Sequence, residues 1–305
     1  MTEEKKHAYL ILCHNNFRQM AVLLRLLDDS RNDIFLHVDK KAGNFPEQEL
    51  RGQVKRAELF FTRRVSVFWG DYSIVEAELI LLEEAVKKAD YAFLHLLSGQ
   101  DLPLKTQEEI HRFFDENQGK EFIRFSENQS NLIRIRYYYP CMRLYGRNAL
   151  RPMGFPLRAA HWALRSIQRG LGIDRLAGLS ETFCYGHTWF SVTSAFAREI
   201  LSRRDFIREH FKMTYAPDEH FVHTVAVNSP LRDNIVYDNQ RQVNFADGAH
   251  PRVYTMADYD MLISCGKLFA RKFDERQDFE IIQAIERHIM ENTPGKTEKE
   301  RTNDS

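Results

Sequence analysis

The segment His7–Val38, HAYLILCHNNFRQMAVLLRLLDDSRNDIFLHV, contains the features that decide the fold. It begins with a short apolar run, His7–Cys13, and ends with a second one, Asp33–Val38. Between the two runs, apolar residues recur at the spacing of one helix face. Short, continuously apolar strands joined by an amphipathic helix are typical of a parallel β-α-β unit whose sheet is covered on both faces. The segment therefore predicts an α/β fold.

The same alternation of strands and helices continues to about residue 126. A long helical pattern begins at Ser73 and is followed by a third buried-strand pattern, Tyr91–Leu97 (YAFLHLL). Ser73-x-x-Glu and Thr106-x-x-Glu predict capping boxes at the starts of two helices. In open α/β sheets, ligands bind at the carboxyl ends of the strands. The pattern places three polar candidates on that edge: His14, Asp39 and Asp101.

Charge is balanced over the whole chain but not along it. Basic and acidic side chains both number 43, so no overall field favours nucleic acid, and no nucleic-acid partner is expected. The segment Arg134–Arg175 contains nine arginines, with no acidic residue between Glu127 and Asp174. Within it, Ala159–Gly170 has the pattern of a basic amphipathic helix.

Two interpretations of this basic segment remain open. Its arginines either pair with acidic residues elsewhere in the protein, or they form a surface attracted to anionic lipid or to a phosphate-linked ligand. No run of about 18 apolar residues, the length that crosses a bilayer, is present in the sequence. A cytoplasmic location is therefore expected, with a possible peripheral contact to an anionic membrane through Arg134–Arg175.

Six short motifs follow one another in a fixed order between about residues 7 and 285. They are Cys13-His14-Asn15, Phe35–Lys40 (FLHVDK), Trp69–Ser73 (WGDYS), Leu97–Thr106 (LSGQDLPLKT), Pro217-Asp218-Glu219 and Leu268–Asp274 (LFARKFD). In order and spacing, this set resembles the core-2/I-branching glycosyltransferase family. That family includes branching β-N-acetylglucosaminyltransferases and peptide O-xylosyltransferases.

The resemblance implies a GT-A type, Rossmann-like glycosyltransferase fold, a UDP-sugar donor, inversion at the anomeric carbon, and no divalent metal or other cofactor. By its place in the motifs, Glu219 matches the catalytic base, while Lys272 and Arg252 match cations that bind the donor diphosphate. Phe245 stands where the family often has an acceptor-site tryptophan, and Trp189 is a second acceptor-side candidate. Further donor-side candidates are His14, Asp39 and Asp101.

These residue types suit an in-line displacement. A sugar hydroxyl is a poor nucleophile, so a carboxylate must accept its proton while the new bond forms. One such base is enough, because no covalent glycosyl-enzyme is made. Negative charge develops on the departing diphosphate, and fixed arginine or lysine side chains can stabilise it.

The resemblance also suggests a division of one domain, residues 1–291, into parts. A nucleotide-binding half would cover about 7–126, a basic insertion about 127–180, and an acceptor and catalytic half about 181–291, followed by a polar tail at 292–305. The favoured donor sugar is N-acetylglucosamine, with xylose second. The expected acceptor is a glycan or a lipid-linked oligosaccharide.

Two alternatives stay open at this point. In the first, a metal-dependent GT-A transferase uses Asp258 and Asp260 as ligands. Asp258 is, however, better explained as the third residue of a helix capped by Thr255, where a carboxylate complements the helix dipole. In the second alternative, the protein binds UDP-sugars or carbohydrate without catalysing transfer.

Overall fold

The computed structural model describes residues 5–148, 154–245 and 251–293. Its strands are β1 (His7–Cys13), β2 (Asn32–Val38), β3 (Glu58–Phe61), β4 (Phe93–Ser98), β5 (Asp101–Pro103), β6 (Glu121–Phe125), β7 (Gly186–Val192), β8 (Ile235–Val236), β9 (Arg241–Val243) and β10 (Phe269–Arg271). Its helices are α1 (Phe17–Leu26), α2 (Glu47–Arg51), α3 (Ser73–Lys88), α4 (Gln107–Asp115), α5 (Ile133–Arg136), α6 (Met142–Asn148), α7 (Gly154–Gly170), α8 (Ser194–Ser202), α9 (Arg204–Phe211), α10 (Phe221–Val227), α11 (Tyr259–Ser264) and α12 (Glu280–Glu291).

Seven strands form the central sheet in the order β3-β2-β1-β4-β7-β6-β8. The first four strands in this order are parallel to one another. β7 is antiparallel to both β4 and β6, and β8 is parallel to β6. A second sheet has three strands in the order β5-β10-β9. The prediction of an α/β fold with a mostly parallel central sheet is confirmed.

The central strands are buried along nearly their whole length because layers of side chains cover both faces of the sheet. All seven residues of β2 are buried, and so is nearly all of β1. One apolar layer includes Leu23 of α1 and Ile285 of α12, and the other includes Leu82 of α3 and Phe196 of α8. Each such side chain contributes about 1.5–3 kcal/mol when it is fully buried. This rigid sheet positions the loops at its carboxyl edge.

Capping boxes are predicted at the starts of α3 and α4, and the structure has one of them. The capping box at Thr106 is confirmed, because its hydroxyl accepts the N–H of Glu109 and the Glu109 carboxylate accepts the N–H of Thr106. The capping box predicted at Ser73 is wrong. Helix α3 begins there without a side-chain cap, because the Ser73 hydroxyl instead accepts the N–H of Phe68 at 2.9 Å.

Helices in the last part of the chain are shorter than predicted. The sequence pattern that begins with the Thr255 cap predicts one helix as far as Leu268, whereas the structure has a 3₁₀ turn, Met256–Asp258, followed by the six residues of α11. The chain then turns into β10, which pairs with β5 and β9. The capping box formed by Thr255 and Asp258 is present as predicted.

The basic insertion contains α5, α6 and α7. The helix predicted over Ala159–Gly170 is present and begins earlier, at Gly154. Beneath it lies a buried aromatic cluster, which consists of Tyr137, Tyr139, Met142 and Tyr145. Leu157 of α7 packs against this cluster, and through it the insertion is joined to the rest of the protein.

Helix α12 ends at Glu291, and most of the polar tail predicted at 292–305 lies outside the described residues. Likewise His250, which precedes the Pro251-Arg252 pair, falls in an undescribed stretch. Over residues 5–148, 154–245 and 251–293, no helix combines the length and the apolar character needed to cross a membrane.

Candidate active site

Glu219 stands in a short 3₁₀ turn, Pro217–Glu219, and α10 begins only afterwards at Phe221. The sequence pattern predicts a helix over Asp218–Val227, which would put Glu219 in its first turn; that start is wrong, because Glu219 precedes the helix. The turn is held from outside, because Ala216, in a left-handed conformation (φ 50°), donates its N–H to the carbonyl of Gly70 at 2.9 Å. The Trp-Gly-Asp motif before α3 and the Pro-Asp-Glu motif are thus in direct contact.

Gly70 allows this approach. Its φ is 73°, and a Cβ at this position would lie 2.8 Å from the ring of Tyr215. Tyr215 also donates its N–H to the carbonyl of Arg134 at 3.0 Å. The base candidate is therefore surrounded by backbone from three separate parts of the chain.

The electrostatics of Glu219 suit a general base. Burial, with the neighbouring carboxylate of Asp218 adding to it, raises the pKa of Glu219 to about 7. Arg134 opposes this shift, because its guanidinium pairs with the Glu219 carboxylate. A pKa near 7 lets a carboxyl group accept a proton readily and still be substantially ionised. Burial also raises the pKa of Asp218, whose carboxylate accepts the hydroxyl of Thr188 at 3.0 Å.

The two predicted diphosphate cations are joined through the backbone. Tyr254 donates its N–H to the carbonyl of Lys272 at 2.9 Å, and this bond brings the Arg252–Tyr254 segment beside the end of β10. Among the described residues, Lys272 has no ion pair; burial and the adjacent Arg271 lower the pKa of Lys272. Arg252 pairs with Asp258.

Asp258 is fully engaged in local structure. Its carboxylate accepts the N–H of Thr255 at 2.9 Å in addition to the guanidinium of Arg252. These bonds support the helix-capping interpretation of Asp258. The described residues contain no group of three His, Cys, Asp or Glu side chains placed to hold a metal ion.

His14 and Asp39 lie together at the carboxyl ends of β1 and β2. The N–H of Asp39 donates to the carbonyl of Cys13 at 2.8 Å, joining the two strand ends. Loss of water around the ring lowers the pKa of His14, and the positive charge of Lys272 contributes in the same direction, while Asp39 opposes it. The structure thus brings His14, Asp39 and Lys272 to one edge of the sheet.

Asp101 does not face this edge with a free carboxylate. It is 1 % exposed, accepts the N–H of Ser98 at 2.6 Å, and pairs with Arg271 at 3.0 Å across the β5–β10 ladder. The prediction that Asp101 contacts donor hydroxyls is inconsistent with this burial. Its carboxylate instead fixes Arg271, the residue next to Lys272.

The acceptor-side candidates lie beside one face of β7. Successive strand residues point to opposite faces, so His187 and Trp189 share one. The ring of Phe245 contacts His187 edge-on at 5.6 Å, and the guanidinium of Arg271 lies 4.1 Å from the centre of the Trp189 ring. Phe245 and Trp189 are therefore brought together.

Strand β7 also connects the two halves of the site. Thr188 bonds to Asp218, beside the base candidate. Trp189, the next residue, contacts Arg271, beside Lys272. Neighbours of the carboxylate and of the cation thus contact adjacent residues of a single strand.

Sequence reasoning assigned no role to three contributors to the site: Arg134, Arg271 and Trp69. Arg134 is one of nine arginines in its segment, and no local pattern distinguishes it as the partner of Glu219. Arg271 was visible as part of an Arg-Lys pair, and alternation along a strand would have predicted that its side chain points away from that of Lys272. Trp69, whose ring is 46 % exposed, packs edge-on against Tyr215 at 5.7 Å beside the base candidate.

Fold and site together define an α/β protein with a carboxylate near neutral pKa and a set of cations along the carboxyl edge of its sheet. The model of the Core-2/I-Branching enzyme family matches residues 7–262, and the chain belongs to that family. The resemblance inferred from the six motifs is confirmed.

Xylosyltransferases are among the proteins similar to this chain. Dog xylosyltransferase 2 is 24 % identical over 315 residues, which is 94 % of this chain and 34 % of the relative. Human xylosyltransferase 1 is 22 % identical over 317 residues, 95 % of this chain and 31 % of the relative. This chain thus spans about a third of the length of these relatives. By their names, these relatives are glycosyltransferases.

One solved structure similar to this chain is that of mouse xyloside xylosyltransferase 1 in its apo form. The similarity covers 86 % of this chain and 96 % of the mouse chain, at 10 % sequence identity and a TM-score of 0.39.

Proposed function

We propose that this protein is an inverting glycosyltransferase that moves a sugar from a UDP-sugar to a hydroxyl of a glycan or a lipid-linked oligosaccharide. Family membership supports the reaction class. The observation that carries the assignment of the base is the position of the Glu219 carboxylate, which stands in a 3₁₀ turn bonded to Gly70 through Ala216 and pairs with Arg134.

In the proposed reaction, an acceptor hydroxyl attacks the anomeric carbon of the donor. Its proton passes to the Glu219 carboxylate as the new C–O bond forms, and the bond from the anomeric carbon to the diphosphate oxygen breaks on the opposite side. UDP leaves with the electron pair of that bond. The pKa of about 7 for Glu219 supports this role, because a carboxylate with this pKa is basic enough to accept the proton of the acceptor hydroxyl.

The leaving UDP gains negative charge, and Lys272 and Arg252 are proposed to stabilise it. A lysine ammonium acts as a point charge and an arginine as a two-pronged donor to phosphate oxygens. His14 and Asp39 are proposed to contact the rest of the donor, since they share the edge with Lys272. Asp101 contributes by holding Arg271 in place.

The same cations lead us to propose that transfer needs no divalent metal. A fixed positive side chain offers the electrostatic stabilisation that a bound ion otherwise supplies. Transfer is expected to continue in EDTA at an unchanged rate. A rate that falls with EDTA and returns with Mn²⁺ would favour the alternative in which the protein is metal-dependent.

The donor sugar is the finer part of the proposal. The sequence favours N-acetylglucosamine first and xylose second, whereas the names of the relatives favour xylose. A screen of UDP-sugars for a rise in melting temperature distinguishes them, since at equal concentration the ligand that binds the native state more tightly stabilises it more. UDP-xylose and UDP-N-acetylglucosamine are the two donors to compare directly.

The decisive variant is Glu219→Gln, which keeps the shape of the side chain and removes its basicity. It is expected to abolish transfer, measured as acceptor-dependent release of UDP, while UDP binding measured by calorimetry stays intact. Glu116→Gln, at an exposed position, is the matched control. Full turnover in Glu219→Gln would contradict the assignment of the base.

Lys272→Met, unlike Glu219→Gln, is expected to weaken UDP binding. Hydrogen bonds to charged groups contribute about 1.5–3 kcal/mol, so UDP binding is expected to weaken by about tenfold to a hundredfold. Lys120→Met, on the surface, is the control. If the protein binds UDP but no donor and acceptor pair yields turnover, it is a binding protein rather than a transferase.

A further inference from the structure

Helix α7 has a large apolar surface that faces away from the protein. Three of its bulky side chains are mostly exposed, and so is one that follows the helix end. The exposed fractions are 73 % for Phe155, 64 % for Trp162, 58 % for Ile167 and 72 % for Leu171. On a helix, positions four residues apart lie on the same side, so Phe155, Ala159, Ala163 and Ile167 form one row, with Trp162 beside it.

The opposite side of α7 is occupied. Leu157 packs on the aromatic cluster of the insertion, and the ring of His161 lies against Tyr139 and Tyr145, at 5.8 and 5.4 Å between ring centres. Gln168 is buried and bonds to both the N–H and the carbonyl of Tyr138. The helix is therefore firmly attached, and its outer face is a fixed surface with nothing over it among the described residues.

Charge borders this outer face. Arg158 and Arg169 are exposed, and they stand 11 residues apart, about three helical turns, so they lie on the same side of α7. Within the described residues neither of them has an ion pair, and α7 itself contains no acidic residue. The outer face is therefore apolar with a positive border.

We propose that the outer face of α7, made of Phe155, Ala159, Trp162, Ala163 and Ile167 and bordered by Arg158 and Arg169, docks on an anionic lipid surface. Helices with an apolar face, basic residues and aromatic side chains insert at the boundary between headgroups and acyl chains. Tryptophan prefers that boundary because its ring is both apolar and polar. The arginines remain at the level of the anionic headgroups.

A second copy of this chain fits the same face less well. A two-fold interface places the same patch of both copies in contact. Arg158 and Arg169 would then face basic residues across the interface, and the helix offers no acidic side chain to pair with them. Like charges brought together in this way oppose association, whereas anionic headgroups neutralise them.

Docking would leave helix α7 and one aromatic layer between the lipid surface and the candidate active site. Tyr145, which contacts His161 of α7, also contacts Trp69 and Tyr215, at 6.0 and 5.9 Å between ring centres. Those two residues adjoin the Glu219 turn. An acceptor carried by a lipid would thereby be presented on the side of the catalytic base. Binding to lipid does not depend on the proposed chemistry and is tested without it.

The test is flotation of the full chain with vesicles of phosphatidylcholine alone or with about 30 % phosphatidylglycerol. At about 50 mM salt, the protein is expected to float with the anionic vesicles only, and at about 500 mM salt binding is expected to weaken strongly, because salt screens the attraction. Tryptophan emission is expected to shift to shorter wavelength on binding, and Trp162→Phe is expected to remove that shift.

Arg158→Gln with Arg169→Gln is expected to lower the partition coefficient by about 25-fold, about fivefold for each arginine near an anionic surface. Phe155→Ser with Ile167→Ser is expected to abolish binding while the melting temperature is unchanged. Exposed residues on another part of the chain supply matched controls: Arg232→Gln and Tyr237→Ser. Failure to float at low salt, or equal floating with neutral vesicles, overturns the proposal. A concentration-dependent dimer lost in the α7 variants would assign the face to self-association instead.

Discussion

Arg134→Gln is expected to shift the pH dependence of sugar transfer to higher pH. The Arg134 guanidinium pairs with the Glu219 carboxylate and favours its ionised form, while burial and Asp218 raise the pKa of Glu219 to about 7. An adjacent arginine typically lowers the pKa of a carboxyl group by about one to three units. Without it, the pKa of Glu219 is expected to rise by at least about one unit.

The size of the effect follows from the fraction of ionised base. A general base acts in its deprotonated form, so the rate increases as pH passes upward through its pKa. At a pKa of about 7, about half of the Glu219 carboxylates are ionised at pH 7. If the pKa is one unit higher, about a tenth of them are ionised at that pH. kcat/KM at pH 7 is therefore expected to fall about fivefold, and near pH 9 the variant and the parent protein are expected to converge.

The assay is UDP release measured from about pH 5.5 to 9.5 at limiting substrate, because kcat/KM reports the pKa of the free enzyme. Arg136→Gln is the matched control, since Arg136 lies on the same short helix and pairs with Asp174 instead. Arg134→Lys keeps a positive charge and is expected to recover most of the original profile. An equal loss at every pH, or an unmoved acid limb, would refute the reasoning.

Two further variants test the framework around the site. Gly70→Ala is expected to lower the free energy of unfolding by about 1–3 kcal/mol in thermal unfolding, because φ is 73° and the added Cβ would meet the Tyr215 ring. Gly119→Ala, with φ 78° and no atom within 4 Å of the added Cβ, measures the backbone strain alone. An equal loss of stability in both variants would show that the contact with Tyr215 contributes nothing. Asp101→Asn is expected to cost about 3–5 kcal/mol in urea unfolding, because Arg271 keeps a buried charge without its anionic partner. A cost below about 1 kcal/mol would contradict that description of the ion pair.

The parts of the fold that follow from local pattern could be predicted from the sequence. Apolar runs give β1 and β2 because a strand covered on both faces has to be apolar throughout. The capping box at Thr106 involves only residues three apart, so the sequence contains all of it. The pattern at Ser73 has the same spacing, but no capping box forms there, because the Ser73 hydroxyl accepts the N–H of Phe68, a residue outside the pattern.

The parts of the site that depend on distant partners could not be predicted in the same way. Asp101 resembles an exposed polar residue at a strand end until Arg271, 170 positions later, is paired with it. Glu219 resembles a first-turn helix residue until Ala216 bonds to Gly70 and tightens the turn. Position in the family motifs identified Glu219 and Lys272 as candidates, but not the contacts that set their charge.

The first half of β7 extends past its pairing with β4, which reaches only Ser191 and Val192, so β6 alone borders it there. Side chains hold this part of the strand instead: Thr188 donates its hydroxyl to Asp218 at 3.0 Å, and the carbonyl of Trp189 accepts an N–H of the Asn239 side chain at 3.0 Å. Thr188→Gly removes one of these side chains and adds backbone freedom. It is therefore expected to disturb the alignment of the sugar beside Asp218 and Glu219 more than the binding of UDP.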